Sequence, residues 1–169
     1  PHLDYARDMF LFSFYTRGMS FIDMAYLKKS DLKNGVILYR RKKTGQQLTI
    51  KWEKCMEDII AKYDGCSTAQ YLLPIITNPC ADERTQYRNA ISRINVALKE
   101  VARLAGLNMP LTMHCARHCW ASIAKSKNIP LSVISEGMGH DSEETTRIYL
   151  ASLDTNVVDR ANSLILKDL

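Results

Sequence analysis

No apolar run in the chain approaches the roughly 20 residues that a membrane-spanning helix needs. No secretory leader is visible either. Both absences point away from a membrane partner. There is no internal repeat and no low-complexity tract, so nothing marks a repeat architecture. Cysteine is scarce: the five present are an odd number with no framework spacing. They read as reduced thiols of a cytoplasmic protein. The chain opens on "PHLDYARDMF", without an initiator methionine, and so reads as a piece of a longer protein. Its 169 residues suit one domain, 1–169. A domain of that size buries roughly 70% of its unfolded surface and needs no disulfide staple.

What is present is basic. The formal net charge is +5, in keeping with a polyanionic partner. Arg40, Arg41, Lys42 and Lys43 stand in a row before Thr44-Gly45. That row reads either as a solvated hairpin tip or as a contact for a polyanion.

The hydrophobic pattern is mostly helical. "LDYARDMFLFSFYT" has apolar residues on more than one face, as a buried helix does. "RGMS" breaks it, and "SFIDMAYL" reads as a short helix capped by Ser20. "LKNGV" is a turn. "VILYRRK" and "QLTIKW" flank "KTG" as a β-hairpin. "EKCMEDIIAKY" is an amphipathic helix, and "STAQYLLPIITNPCAD" a loop with room for one short strand. "ERTQYRNAISRINVALKEVARLAG" is a long helix stopped by Gly106. Further helices are expected from about Met113 to Lys127, after Pro130, over about Ser142 to Ser152, and over "TNVVDRANSLIL". The fold class is therefore mainly α with a small antiparallel β-sheet, α+β.

"LTMHCARHCW" sets His114, Cys115, Arg117, His118 and Cys119 within six positions. A metal site is one reading. However, the His and Cys pairs point about 100° apart around a helix, and no second cluster completes a tetrahedral set. The cysteines are more simply small core residues. A phosphate grip is another reading. Thr112 caps the helix, and His114 and Arg117 share a face near its start, where free N–H groups and the dipole favour an anion. Arg117 can hold two oxygens with its planar fork. A His-x-x-Arg pair is common by chance, so its weight rests on partners. They come in "MGHDSEETTRIYL": His140 after a Gly, and Tyr149 on the next helix. The ordered set is Lys, His-x-x-Arg, Gly-His, Tyr.

Those boxes resemble the tyrosine recombinases, the phage-type integrase family, over essentially the whole chain. "TMHCARHCWAS" is similar to that family's Thr-x-His-x-x-Arg-His box. "MGHDSEETTRIYL" is similar to its Leu-Gly-His segment with Thr-x-x-Tyr, and "RRKKTGQQLTI" to its lysine hairpin. The resemblance implies the family's catalytic-domain fold, with its separate N-terminal DNA-binding domain absent. It implies site-specific recombination of double-stranded DNA by the integrase of a mobile element. No cofactor, metal or ATP is implied, since one phosphodiester is traded for another. A homo-tetramer on DNA, in the bacterial cytoplasm at the nucleoid, is the implied assembly and place.

The implied roles follow residue by residue. Tyr149 is the nucleophile that forms a 3′-phosphotyrosyl link. Arg117 neutralises the non-bridging oxygens, with His114 and His140 as phosphate or proton-transfer histidines. Lys43 protonates the leaving 5′-oxygen, a task for an ammonium rather than a guanidinium. Arg41, Lys42, Thr44 and Arg147 are expected DNA contacts, and His118 is expected to be structural.

One box departs from the family. Where the family reads Thr-Gly-Leu-Arg-x-x-Glu-Leu, this chain reads "RGMSFIDM", with Ser20 at the arginine and Asp23 at the acid. Arg17 is the first candidate to replace that charge and Arg7 the second, with a salt bridge to Asp4 or Asp8 as Arg7's structural alternative. Two competing readings stand: a relaxing type IB topoisomerase, and a DNA-binding remnant. The last helix places Val157, Ala161, Leu164 and Ile165 on one side, for a neighbouring subunit or for its own domain.

Overall fold

A computed structural model describes residues 2–153. The expected last helix, with Val157, Ala161, Leu164 and Ile165, lies outside the described residues. Helix α1 runs His2–Tyr15, α2 Phe21–Ala25, α3 Lys54–Lys62, α4 Glu83–Leu104, α5 Met113–Ser126, α6 Leu131–Met138 and α7 Glu143–Leu153. Strands β1 Leu32–Lys33, β2 Val36–Arg40 and β3 Gln47–Lys51 form an antiparallel sheet in that order. The architecture is the expected α+β.

Helix α1 buries Ala6, Met9, Phe12 and Ser13 completely, while Leu3, Tyr5, Phe10, Leu11 and Tyr15 pack at the margin of the same core. This is why its apolar residues fill more than one face. Helix α4 lies against α1 through Ile94, Ala97, Leu98 and Ala102. Asp82 starts it by accepting the Thr85 N–H at 2.6 Å, and Gly106 ends it at φ +69°.

The β2–β3 pair runs from Val36 opposite Lys51 to Arg40 opposite Gln47. Alternation puts Ile37, Tyr39, Leu48 and Ile50 inward. Sequence reading gave this hairpin but not β1, whose two residues carry no periodicity. Asn34 and Gly35 join β1 to β2 with φ of +51° and +73°, a tight turn of the primed type. The expected strand in the loop before α4 is a single bridge between Lys28 and Tyr71.

The core has two parts. The larger joins α1 to α4 and the sheet. The smaller holds Ala121, Ala124, Ile134, Met138 and Leu150, between α5, α6 and α7. Arg117, Gly18 and Arg41 lie where the two meet.

Candidate active site

Two consecutive left-handed residues end α1: Arg17 at φ +62° and Gly18 at φ +73°. Gly18 closes the helix by donating to Ser13 O at 2.8 Å. A Cβ at Gly18 would stand 2.7 Å from the Arg117 Cα, so only glycine lets this turn lie against α5. In return, Arg117 Nη1 donates to Gly18 O at 3.0 Å.

Arg117 is 8% exposed. Its Nη2 donates to Met138 O at 2.8 Å and to His140 Nε2 at 3.0 Å. A guanidinium only donates, so Nε2 accepts and the ring proton sits on Nδ1. That proton is donated to Thr146 Oγ1, 2.8 Å away on α7. Burial, Arg117 and Arg41 push the His140 pKa down to about 4, which keeps the ring neutral. Gly139, the left-handed cap of α6 at φ +63°, turns the chain so that His140 can face Arg117.

Arg41 departs from its neighbours. Sequence reading groups it with Lys42 and Thr44 as a DNA contact, yet it is 7% exposed. Its backbone N–H and carbonyl close the hairpin tip against Gln46 and Gly45. Its Nη1 donates to the carbonyl of Gly139. Arg117 and Arg41 thus bind successive carbonyls at the end of α6, where the helix dipole is negative. Among the described residues neither forms a salt bridge. Burial and the Arg41 charge both disfavour the Arg117 cation. The two buried guanidiniums converge on one turn, between α6 and α7, and concentrate positive charge there.

Tyr149 is half-buried on α7. Its hydroxyl meets His118 Nδ1 at 2.7 Å, and the two rings stack with centroids 5.3 Å apart. The His140 ring stands edge-on to it at 5.6 Å. Burial raises the phenol to about 12 against the opposing pull of Arg117. The His114 ring is exposed and meets His118 edge-to-face at 4.4 Å. Burial, Arg117 and Lys43 lower the pKa of His114. Lys43 itself is exposed at the hairpin tip, close enough for its charge to be felt by both His114 and His140.

The other expected residues lie further out. Lys42 donates its backbone N–H to Asp23 Oδ1 at 2.8 Å and holds its ammonium 4.4 Å over the Tyr26 ring. Thr44 is half-buried in the tip, and Arg147 is exposed, paired with Glu144 at 3.5 Å. Ser20 caps α2: its hydroxyl donates to Asp23 Oδ2 at 2.6 Å and accepts from the Asp23 N–H. Arg17 lies alongside Gly137 of α6. Arg7 is paired with Asp4 at 3.2 Å and Asp8 at 3.0 Å on α1. Thr146 is the threonine of the Thr-x-x-Tyr segment; sequence reading assigned it no role, although its place three residues before Tyr149 puts both on one helix face. The burial of Arg41 follows the inward alternation of Ile37 and Tyr39, whereas the His118–Tyr149 contact leaves no local sequence signal.

Comparison with known proteins follows the same lines. No curated protein matches the chain. Among solved structures, XerA recombinase shares 19% identity at a TM-score of 0.56 over 90% of this chain. A lambda integrase (75–356) dimer bound to a COC′ core site shares 17% at 0.60 over 86%. XerH site-specific recombinase bound to a palindromic difH substrate, in a post-cleavage complex, shares 20% at 0.62 over 94%. These likenesses show the fold. The chain spans 61%, 51% and 45% of those three chains. The phage integrase family model matches residues 4–156, and the chain belongs to that family.

Proposed function

We propose that the chain is the catalytic domain of a site-specific DNA recombinase, the integrase of a mobile element. It cuts and rejoins double-stranded DNA through a 3′-phosphotyrosyl intermediate on Tyr149. The observation that carries this reading is the pair of buried guanidiniums, Arg117 and Arg41, which converge on the turn that also holds His140. A phosphodiester is the anion that such a cationic turn suits when a phenol stands beside it.

The steps balance as an exchange of oxygens on phosphorus. The Tyr149 oxygen attacks and loses its proton, the bond to the 5′-oxygen breaks, and Lys43 supplies the proton that the leaving oxygen takes up. Charge that gathers on the non-bridging oxygens is met by Arg117 and Arg41, with His114 as a further donor and His140 holding the Arg117 guanidinium in place. Each such donor is worth roughly 3–4 kcal/mol in other enzymes. Arg41, rather than Arg17 or Arg7, then supplies the charge missing at Ser20. The remnant reading has less support, because both guanidiniums, His140 and the Tyr149 phenol are still gathered at one place. The exchange pairs two duplexes, so the working assembly is a tetramer on DNA, in the bacterial cytoplasm at the nucleoid.

Covalent capture from a random pool of nicked suicide duplexes tests the reading. The unaltered protein is expected to retain duplex through a protease-sensitive, denaturant-resistant link. Tyr149→Phe keeps the ring and its packing and is expected to retain none. An undiminished adduct in that variant would sink the proposal.

A further inference from the structure

We propose that His118 is the general base that takes the phenolic proton from Tyr149, and the acid that returns it when the strand is rejoined. The inference rests on the reading above, and it gives a catalytic role to a residue that the sequence marks only as structural. Its ground is geometric. His118 Nδ1 lies 2.7 Å from the Tyr149 oxygen, within the range for direct proton transfer. The two rings also stack, with an interplanar angle of 18°, which holds the phenol beside this acceptor.

Which partner donates follows from acidity. A phenol is a far stronger acid than a neutral imidazole N–H, so Tyr149 donates and His118 carries its own proton on Nε2. The ring must be neutral to accept. Burial, His114 and Arg117 all lower its pKa, which favours that state at neutral pH. The other candidates are engaged or misplaced. His140 Nε2 is already used by Arg117, and its Nδ1 proton is given to Thr146. His114 faces solvent and touches His118 rather than the phenol.

In the forward step the Tyr149 O–H bond breaks and its proton passes to His118 Nδ1. The oxygen–phosphorus bond forms, the bond to the 5′-oxygen breaks, and the 5′-oxygen is protonated by Lys43. In the reverse step the His118 imidazolium protonates the departing Tyr149 oxygen. No redox partner is involved. The charged or titratable groups around the pair are His114, Cys115, Arg117 and Cys119 of α5, His140 before α7, and Lys43 of the hairpin.

The test uses a suicide duplex recovered by the covalent capture described above. If the unaltered protein captures no duplex, the recombinase reading fails before this one is reached. His118→Phe keeps a ring for stacking and removes the base, and His118→Ala opens room for added imidazole. Single-turnover cleavage is expected to fall by roughly 10²–10⁴-fold in both, the usual worth of a general base. Added imidazole is expected to restore part of the rate to the alanine variant. The rate of the unaltered protein should be flat through neutral pH and fall in acid as His118 takes a proton. The phenylalanine variant should instead climb with pH, since solvent hydroxide must remove the proton. A 5′-bridging phosphorothiolate, whose sulfur leaves without protonation, should rescue Lys43→Ala and not His118→Phe. Cleavage within about threefold of normal, or a loss with an unchanged pH profile and no imidazole rescue, would overturn the assignment. Should both variants fail to fold, the ¹⁵N spectrum of the unaltered protein decides: a protonated Nδ1 on His118 refutes it.

Discussion

Arg41 shows how a single residue can change role once the chain is folded. In the sequence it is one of four adjacent cations. In the structure it is buried, while Arg40, Lys42 and Lys43 are exposed. Strand alternation carries on one residue past β2, so that Ile37, Tyr39 and Arg41 share the inward face. What that face meets at the tip is the end of α6, and the Arg41 side chain crosses to Gly139, 98 positions along the chain. Arg41→Ala is therefore expected to slow adduct formation by two to three orders of magnitude, with DNA affinity falling far less, as for a donor that acts in the transition state. Arg17→Ala serves as its comparison and is expected to cleave within about threefold of normal, because Arg17 lies on Gly137 rather than on the α6 carbonyls. Gel assay of adduct against time, with binding measured separately, decides between them. The reverse ranking would return the missing charge to Arg17. The box residues His114, Arg117, His140 and Tyr149 were legible because short local motifs carry them, and it is the resemblance of those motifs that singled them out. The Arg41–Gly139 and His118–Tyr149 contacts were not, because each depends on where a distant element lands.

At the scale of elements, a buried carboxylate ties the hairpin tip to α2, beside the bond from Arg41 to Gly139. Asp23 is 4% exposed, accepts the Lys42 N–H on one oxygen and takes the Ser20 hydroxyl on the other. The departure at Ser20 thus has a local use: it caps α2 and fixes the carboxylate that fixes the hairpin. Hydrogen bonds to a charged group are worth roughly 1.5–3 kcal/mol each. Asp23→Ala should loosen the tip that carries Lys43. A displacement of about 1 Å there costs on the order of 10² in rate. The defect is expected to shrink on a 5′-bridging phosphorothiolate duplex, which needs no proton from Lys43. An equal defect on both duplexes would show that Asp23 supports the phosphate pocket instead. Asp23→Asn retains an acceptor for Lys42 and is expected to fall between. The hairpin, the long α4 and the caps of α2 and α5 were readable, since alternation, length and capping residues are local signals. β1 was not: two residues have no period, and only the Asn34-Gly35 turn announces it.

The whole molecule is built in two unequal parts, and this division was invisible in the chain. The larger core closes over Met9, Phe12, Leu73 and Leu98, all fully buried. Among the described residues, the smaller one buries Ile134, Met138, Leu150 and two alanines, with Trp120, Leu131, Tyr149 and Leu153 packed at its margin. At about 25 cal/mol per Å² of buried apolar surface, the smaller part is held less firmly. Helix α5 belongs to both, tied back to α4 where Asn95 Oδ1 accepts the Met113 N–H at 2.9 Å. Helices α6 and α7 pack on α5 and on each other. Across the seam run the bonds from Arg117 to Gly18 and Met138 and from Arg41 to Gly139. The groups that would hold a phosphate are therefore the same groups that hold the weaker part in place. Hydrogen exchange should show α6 and α7 opening at lower free energy than α1 and α4, as a separate cooperative unit. Saturating the protein with a captured duplex should raise protection in α6 and α7 more than in α1, because a phosphate bound between Arg117 and Arg41 stabilises only the closed seam. Uniform protection without DNA, or a gain confined to the exposed hairpin, would mean that the two cores open together and that DNA contacts the surface without engaging the guanidiniums.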